Sequence, residues 1–167
     1  MFIEVLDPKV SKKDLNEIYE INQNNVPEVG YLNSKEDLKY LLNLSSSVLI
    51  SRFNNSIKGF IILLREGSPY TSENYKYFSK RHKSFLYIDR IAIEINSRRK
   101  GLGSGLYQAV IKNNDHQGLI ICCEINKIPI NNTSIIFHHK FNFKKIGVKV
   151  FIKEKKEVFY LEKDIEK

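Results

Sequence analysis

Apolar and polar positions follow two rhythms along the chain, one strand-like and one helical. Residues 2–5 read as a short first strand. Ser11 suits a helix N-cap, and Leu15, Ile18 and Tyr19 then fall on one face of a helix reaching about Ile21. Residues 22–33 are polar and contain Pro27 and Gly30, which predicts a loop. Ser34-Lys35-Glu36-Asp37 has the form of a capping box and opens a short helix to about Leu42. Residues 47–53 and 57–64 are β-rich and separated by Asn54-Asn55-Ser56, a hairpin signal. After the break at residues 67–69, Ser72 starts a short helix carrying Tyr75 and Phe78. Residues 85–95 give the clearest strand, with alternation blurred at Asp89-Arg90, where a bulge would fit. A helix over residues 101–113 presents Leu102, Leu106, Ala109 and Val110 on one face. Residues 119–125 form a buried strand, residues 131–140 a helix, and residues 143–152 and 157–161 a last hairpin. The resulting order, β-α-α-β-β-(α)-β-α-β-α-β-β, is an α+β pattern with one strand–helix–strand crossover in its middle.

A chain of 167 residues fits one domain spanning residues 1–167, large enough to bury a core without staples. Eight Gly, four Pro and two Cys exclude collagen-like, disordered and disulfide-scaffold classes. Apolar runs such as residues 60–64 fall far short of a membrane span, and the first residues carry neither a basic flank nor an apolar core of a signal peptide, so a cytoplasmic location is expected. The net charge of +8 reflects mostly Lys, scattered along the sequence. That suits a solvated exterior better than a nucleic-acid surface, which would cluster cations and aromatics. Cys122 and Cys123 are neighbours on a strand and point to opposite faces, so the pair cannot share a metal and reads as core filler. No metal site is assigned.

Chemistry concentrates in Arg98-Arg99-Lys100-Gly101-Leu102-Gly103-Ser104-Gly105, between a strand and a helix. Glycines let a ligand approach the backbone, a helix N-terminus offers unpaired N–H groups and a positive dipole end, and three cations precede it. The segment favours a phosphate or pyrophosphate. A Walker loop is absent. A dinucleotide fingerprint requires Gly or Ala where Leu106 stands, although Glu124 lies about where a ribose-binding acid belongs. A nicotinamide site is thus the lesser alternative.

Arg98-x-x-Gly101-x-Gly103 resembles the Arg/Gln-x-x-Gly-x-Gly/Ala signature of the GNAT superfamily of acyl-CoA-dependent N-acetyltransferases. Tyr87-Ile88-Asp89-Arg90-Ile91-Ala92-Ile93 is similar to that family's central strand, and residues 131–143 to its Asn-x-x-Ala/Ser-x-x-Phe-Tyr-x-x-x-Gly-Phe helix. Asn24-Asn25-Val26-Pro27 and residues 70–87 resemble a little-characterised bacterial subgroup of predicted acetyltransferases. The resemblance covers essentially the whole chain. It implies the GNAT fold, with a mixed, mostly antiparallel central sheet flanked by helices, and acetyl-CoA as cosubstrate without a metal.

Carried onto this sequence, the resemblance gives Arg98, Arg99 and Lys100 the CoA phosphates and the backbone of Gly101, Leu102, Gly103, Ser104 and Gly105 the pyrophosphate. Ile91, Ala92 and Ile93 would meet the pantetheine arm, with the Ile91 N–H as oxyanion donor. Asn131, Ser134 and His138 are spaced i, i+3, i+7 and share a helix face that could look into the cofactor cleft. His138 replaces the family's frequent Tyr and is the candidate acid for the departing thiolate; Asn142 replaces a Gly and can adopt the left-handed conformation that Gly would take. Glu124 and Asp89 are candidate bases, each with ion pairing to a residue such as Arg90 as its alternative. Asn25, Tyr31, Tyr70, Tyr75 and Tyr87 are candidates for an acceptor pocket. The implied reaction is transfer of an acetyl group to a small-molecule or peptide amine, by a monomer or homodimer. A catalytically silent acyl-CoA-binding module on the same fold is the alternative.

Overall fold

The computed structural model describes residues 2–165. Its elements are β1 (Phe2–Val5), α1 (Lys12–Gln23), α2 (Lys35–Leu44), β2 (Ser47–Phe53), β3 (Ser56–Arg65), α3 (Glu73–Arg81), β4 (Phe85–Ile93), α4 (Leu102–Lys112), β5 (Ile120–Ile128), α5 (Asn132–Lys140), β6 (Lys144–Phe151) and β7 (Lys156–Asp164). Local chemistry sets the helix starts. The Ser11, Ser34 and Ser72 hydroxyls accept from the amides of Asp14, Asp37 and Tyr75, and Asp37 returns the bond to close a capping box.

The strands form one seven-stranded sheet ordered β1-β2-β3-β4-β5-β7-β6. Every neighbouring pair is antiparallel except β4 and β5. Alternation along the strands feeds two cores. One face packs on α1, α2 and α3 through Ile18, Leu38, Phe60, Phe78 and Tyr87; the other packs on α4 through Ile61, Leu86, Leu106 and Tyr107. Each fully buried side chain of this size contributes about 1.5–3 kcal/mol of transfer free energy. Cys122 and Cys123 divide between the two cores, as adjacent strand residues must.

Two features of β4 position the site. Ile62 lies opposite Arg90 but Leu63 lies opposite Ile88, so Asp89 is an extra, bulged residue. The lost alternation in the sequence is this bulge. Second, β4 and β5 pair only at Phe85–Ile120, Leu86–Ile121 and Tyr87–Cys122. Beyond Tyr87 the strands part, and that edge of β4 has no strand partner among the described residues.

Some boundaries differ from the sequence reading. β4 stops at Ile93 because the chain turns into a 3₁₀ segment, Ile95–Ser97, whose Ser97 amide donates to the Glu94 carbonyl at 2.9 Å. β5 continues to Ile128 and β7 to Asp164 because the two pair along their whole length. Asn142 has φ 60°, the left-handed turn expected at the end of α5. Among the described residues, no helix is long and apolar enough to cross a membrane.

Candidate active site

Where β4 parts from β5, a cavity of about 430 Å³ lies between the free edge of β4 and α5. Ile91, Ala92 and Ile93 form one wall, the loop from Ser97 through Ser104 its end, and Asn131, Ser134, Phe137 and His138 the wall opposite. A second cavity, of about 460 Å³, is lined by Glu17, Glu20 and Glu94, whose charge disfavours a phosphate.

Gly101 is the N-cap of α4 with φ +81°, a conformation that a Cβ would strain. No side chain caps this end. The N–H groups of Leu102, Gly103 and Ser104 belong to the first turn and have no acceptor within the helix, so they remain as anion donors at its positive end. Gly105 does not join them: its amide donates to the Gly101 carbonyl at 2.9 Å, the first bond of the helix. Its lack of a side chain instead admits Ile3, whose Cδ1 lies 3.0 Å from where a Cβ would stand. Arg98 and Arg99 line the cavity, whereas Lys100 turns outward to the Asn96 carbonyl, 3.0 Å away.

Asn25 sits beside the glycine loop and lines the cavity. Its amide donates to the carbonyls of Ile21 (2.7 Å) and Ile93 (3.2 Å), and its oxygen accepts from Arg98 Nη2 at 2.8 Å. One side chain thus ties α1, the end of β4 and the guanidinium together. The loop that follows α1 is fastened to both arms of the fork. Arg90 donates to Asn22 Oδ1 (2.7 Å) and the Gly30 carbonyl (3.0 Å), and Asn126 of β5 donates to the Pro27 carbonyl at 2.9 Å.

Asn131 caps α5, accepting from the Ser134 amide at 3.0 Å, and also lines the cavity. His138 is buried, and its hydrogen bonds fix its tautomer. Nδ1 lies 2.7 Å from the Ser134 carbonyl, which can only accept, so Nδ1 carries the hydrogen. Nε2 is therefore a lone pair and accepts from the Tyr107 hydroxyl at 2.6 Å. Burial pushes the His138 pKa down to about 4. The residue is neutral, and its only N–H is committed to backbone. This corrects the expectation of a general acid: His138 holds α5 to Tyr107 of α4. Ser134 Oγ, 3.2 Å from Nδ1, stays at the cavity wall.

Asp89 and Glu124 each lie two residues past the last paired position, one on either arm of the fork. Glu124 is half-buried and accepts from the Tyr87 hydroxyl at 2.7 Å and Asn74 Nδ2 at 2.9 Å; Tyr160 in turn donates to Asn74 at 2.9 Å. Burial, reinforced by the Asp89 charge, raises the Glu124 pKa from 4.5 to about 7. Asp89 instead pairs with buried Arg90 at 2.8 Å, the bland alternative named for it. Burial and Asp89 hold the Tyr70 hydroxyl neutral far above its ordinary range. Tyr87 bonds to Glu124, and neither of them, nor Asp89 or Tyr70, lines either cavity. Tyr75 is committed elsewhere: its hydroxyl donates to the Arg65 carbonyl at 2.7 Å and accepts from the Ser68 amide. Tyr31 is exposed and lines neither cavity. Sequence reasoning missed Asn74, Tyr107 and Tyr160. Their periodicity marked them only as helix or strand positions, and their partners lie far away in sequence.

The family model for the Acetyltransferase (GNAT) family matches residues 15–143. No curated protein matches the chain in sequence. Among solved structures, the chain is similar to Ard1 from Thermoplasma volcanium (TM-score 0.76, 19% identity, 99% of this chain and 98% of that one). It is also similar to the ribosomal-protein-S18-alanine N-acetyltransferase from Escherichia coli (TM-score 0.71, 15% identity, 99% and 94%). A third is a chain of the NatC complex bound to Gag peptide and CoA (TM-score 0.69, 17% identity, 96% and 96%). At these identities the likeness is one of fold.

Proposed function

The chain belongs to the GNAT acetyltransferase family, and from that premise we propose that it transfers an acetyl group from acetyl-CoA to a primary amine in the β4–β5 fork. The observation that carries this reading is the fork itself, closed at one end by Arg98, Arg99 and the unpaired amides of residues 102–104. The residues fit the cosubstrate: a glycine turn and a helix N-terminus suit a pyrophosphate, and the unpartnered edge of β4 suits an amide-rich arm.

Acetyl-CoA would supply the acetyl thioester. Arg98, oriented by Asn25, neutralises phosphate, and Arg99 adds a second charge. The β4 edge at residues 91–93 orients the arm and offers backbone donors to developing negative charge. Glu124 is the base. A carboxyl with a pKa about 7 is poised to take a proton from an ammonium near neutral pH, and Tyr87 and Asn74 hold it in place. His138 cannot supply a proton, so Ser134 is the donor to sulfur. A protonated Nδ1 cannot accept from the Ser134 hydroxyl, so that hydrogen is free for the cavity, and the proton that finally neutralises the thiolate comes from water. The acceptor is a small-molecule or peptide amine.

The test is calorimetry with acetyl-CoA, CoA and NAD, followed by free-thiol release across an amine panel. Acetyl-CoA binds and an amine stimulates thiol release. Tighter binding of NAD would overturn the cosubstrate; binding of acetyl-CoA without thiol release for any amine would favour the binding module, a reading that the locked His138 supports.

A further inference from the structure

On the α3 side of the sheet, away from the phosphate loop, three metal-ligating side chains of different chemistry converge. Cys122 of β5 and Glu162 of β7 are direct cross-strand partners, so their side chains leave the same face side by side. His82, the C-cap residue of α3, reaches down onto them. The imidazole nitrogen, the thiol sulfur and a carboxylate oxygen all lie within 4.8 Å of one another. Cys122 is buried, and the His82 and Glu162 side chains are only 15% and 14% exposed. This is not a solvated acidic patch.

We propose that His82, Cys122 and Glu162 form a binding site for a divalent transition-metal ion of the zinc type. Mixed nitrogen, sulfur and oxygen donors suit zinc(II) and exclude magnesium or calcium, which take oxygen ligands. Tetrahedral bonds of about 2.0–2.3 Å put ligand atoms about 3.3–3.7 Å apart, so the three donors need shifts of roughly 1 Å. The closest pair, His82 Nε2 and Glu162 Oε1 at 2.5 Å, must open around the ion. On binding, the Cys122 thiol gives its proton to solvent, His82 ligates through neutral Nε2 and Glu162 as carboxylate. Thiolate plus carboxylate then balance the dication, and water takes the fourth position. Arg81 competes: its Nε donates to Glu162 Oε1 at 2.8 Å, the same oxygen that faces His82.

The placement gives the site a consequence. Asn74, at the other end of α3, holds Glu124, and Cys122 and Glu124 are two residues apart on β5. An ion at the C-terminal end of α3 would fasten both ends of that helix to β5.

Cobalt(II) titration of the chelator-treated full chain is the experiment. One equivalent should produce a thiolate-to-cobalt charge-transfer band and the intense visible bands of a tetrahedral ion, displaced by one equivalent of zinc. Cys122→Ser should abolish the charge-transfer band, His82→Ala should weaken binding at least tenfold, and Cys123→Ala should leave the band intact. Arg81→Gln discriminates further. If the cluster is only an ion-pair network, that change has no effect on cobalt; as a metal site it tightens binding, because Glu162 is released. Absence of the band in wild type, its survival in Cys122→Ser, or indifference to Arg81→Gln would each overturn the proposal. His82→Ala, at a partly exposed helix end, keeps the test decisive if Cys122→Ser fails to fold.

Discussion

Glu124→Gln should make the protein more stable above neutral pH while disabling it. The folded state holds the Glu124 proton more tightly than the unfolded chain does, with a pKa of about 7 against 4.5. Below pH 4.5 the carboxyl is protonated in both states and costs nothing. Between 4.5 and 7 the unfolded chain ionises first, and above 7 the folded protein carries the whole penalty, about 3 kcal/mol. Gln carries no charge and escapes it. Glutamine offers one acceptor oxygen where the carboxylate offered two, so either Tyr87 or Asn74 must reorient, at about 1 kcal/mol. The net gain at pH 8 is about 2 kcal/mol, or roughly 4–8 °C in Tm for a domain of this size. At pH 5 the ionisation cost is under about 1 kcal/mol and the advantage vanishes. Thermal melts of both proteins at pH 5 and pH 8 measure this. In the same variant, kcat/KM falls by about 10²–10⁴-fold, and the acidic limb of the wild-type profile, centred about pH 7, disappears. A Tm difference that is zero or negative at pH 8, or a variant keeping both activity and the acidic limb, would refute the reasoning.

Gly103→Ala should leave the ligand-free Tm nearly unchanged, because a Cβ there meets the Phe137 ring at 3.5 Å, an ordinary contact, yet cut the stabilisation by acetyl-CoA; the melts with and without ligand decide it. His138→Ala removes a buried ring and leaves the Tyr107 hydroxyl unpaired, so chemical denaturation should show a loss of about 2–4 kcal/mol, whereas Ser134→Ala should keep stability and lower turnover.

Where local chemistry decides, the sequence was legible. Serine caps, the Gly101 turn, the left-handed Asn142 and the bulge at Asp89 each follow from a few consecutive residues. The fork was not legible in the strand pattern, since strand spacing says nothing of where two strands part. His138 shows the limit. Its helix face pointed to the cleft, but its protonation is set by Tyr107, 31 residues earlier, and by the carbonyl one turn back. Gly105 shows another: its glycine spacing suggested an anion donor, but as the fourth residue of α4 its amide already belongs to the helix ladder. Glu124 was found as a candidate, but its raised pKa comes from burial and from the Asp89 charge across the fork, which only the assembled sheet brings together.

The parallel seam between β4 and β5 is three residue pairs long. Strands β1 to β4 and strands β5 to β7 are therefore two panels joined by a short zipper, each with its own hairpins. A ligand lying along the free edge of β4 would act as a missing strand and lengthen the zipper. Amide exchange at residues 88–93 should slow sharply when the fork fills, while the hairpin amides of β2 and β3 barely respond. Mass action sets the scale: a ligand at a hundred times its Kd adds about 2.7 kcal/mol against unfolding. The lifetime of the chain before a protease would then track the cell's supply of that ligand, and the empty protein would be the form removed first.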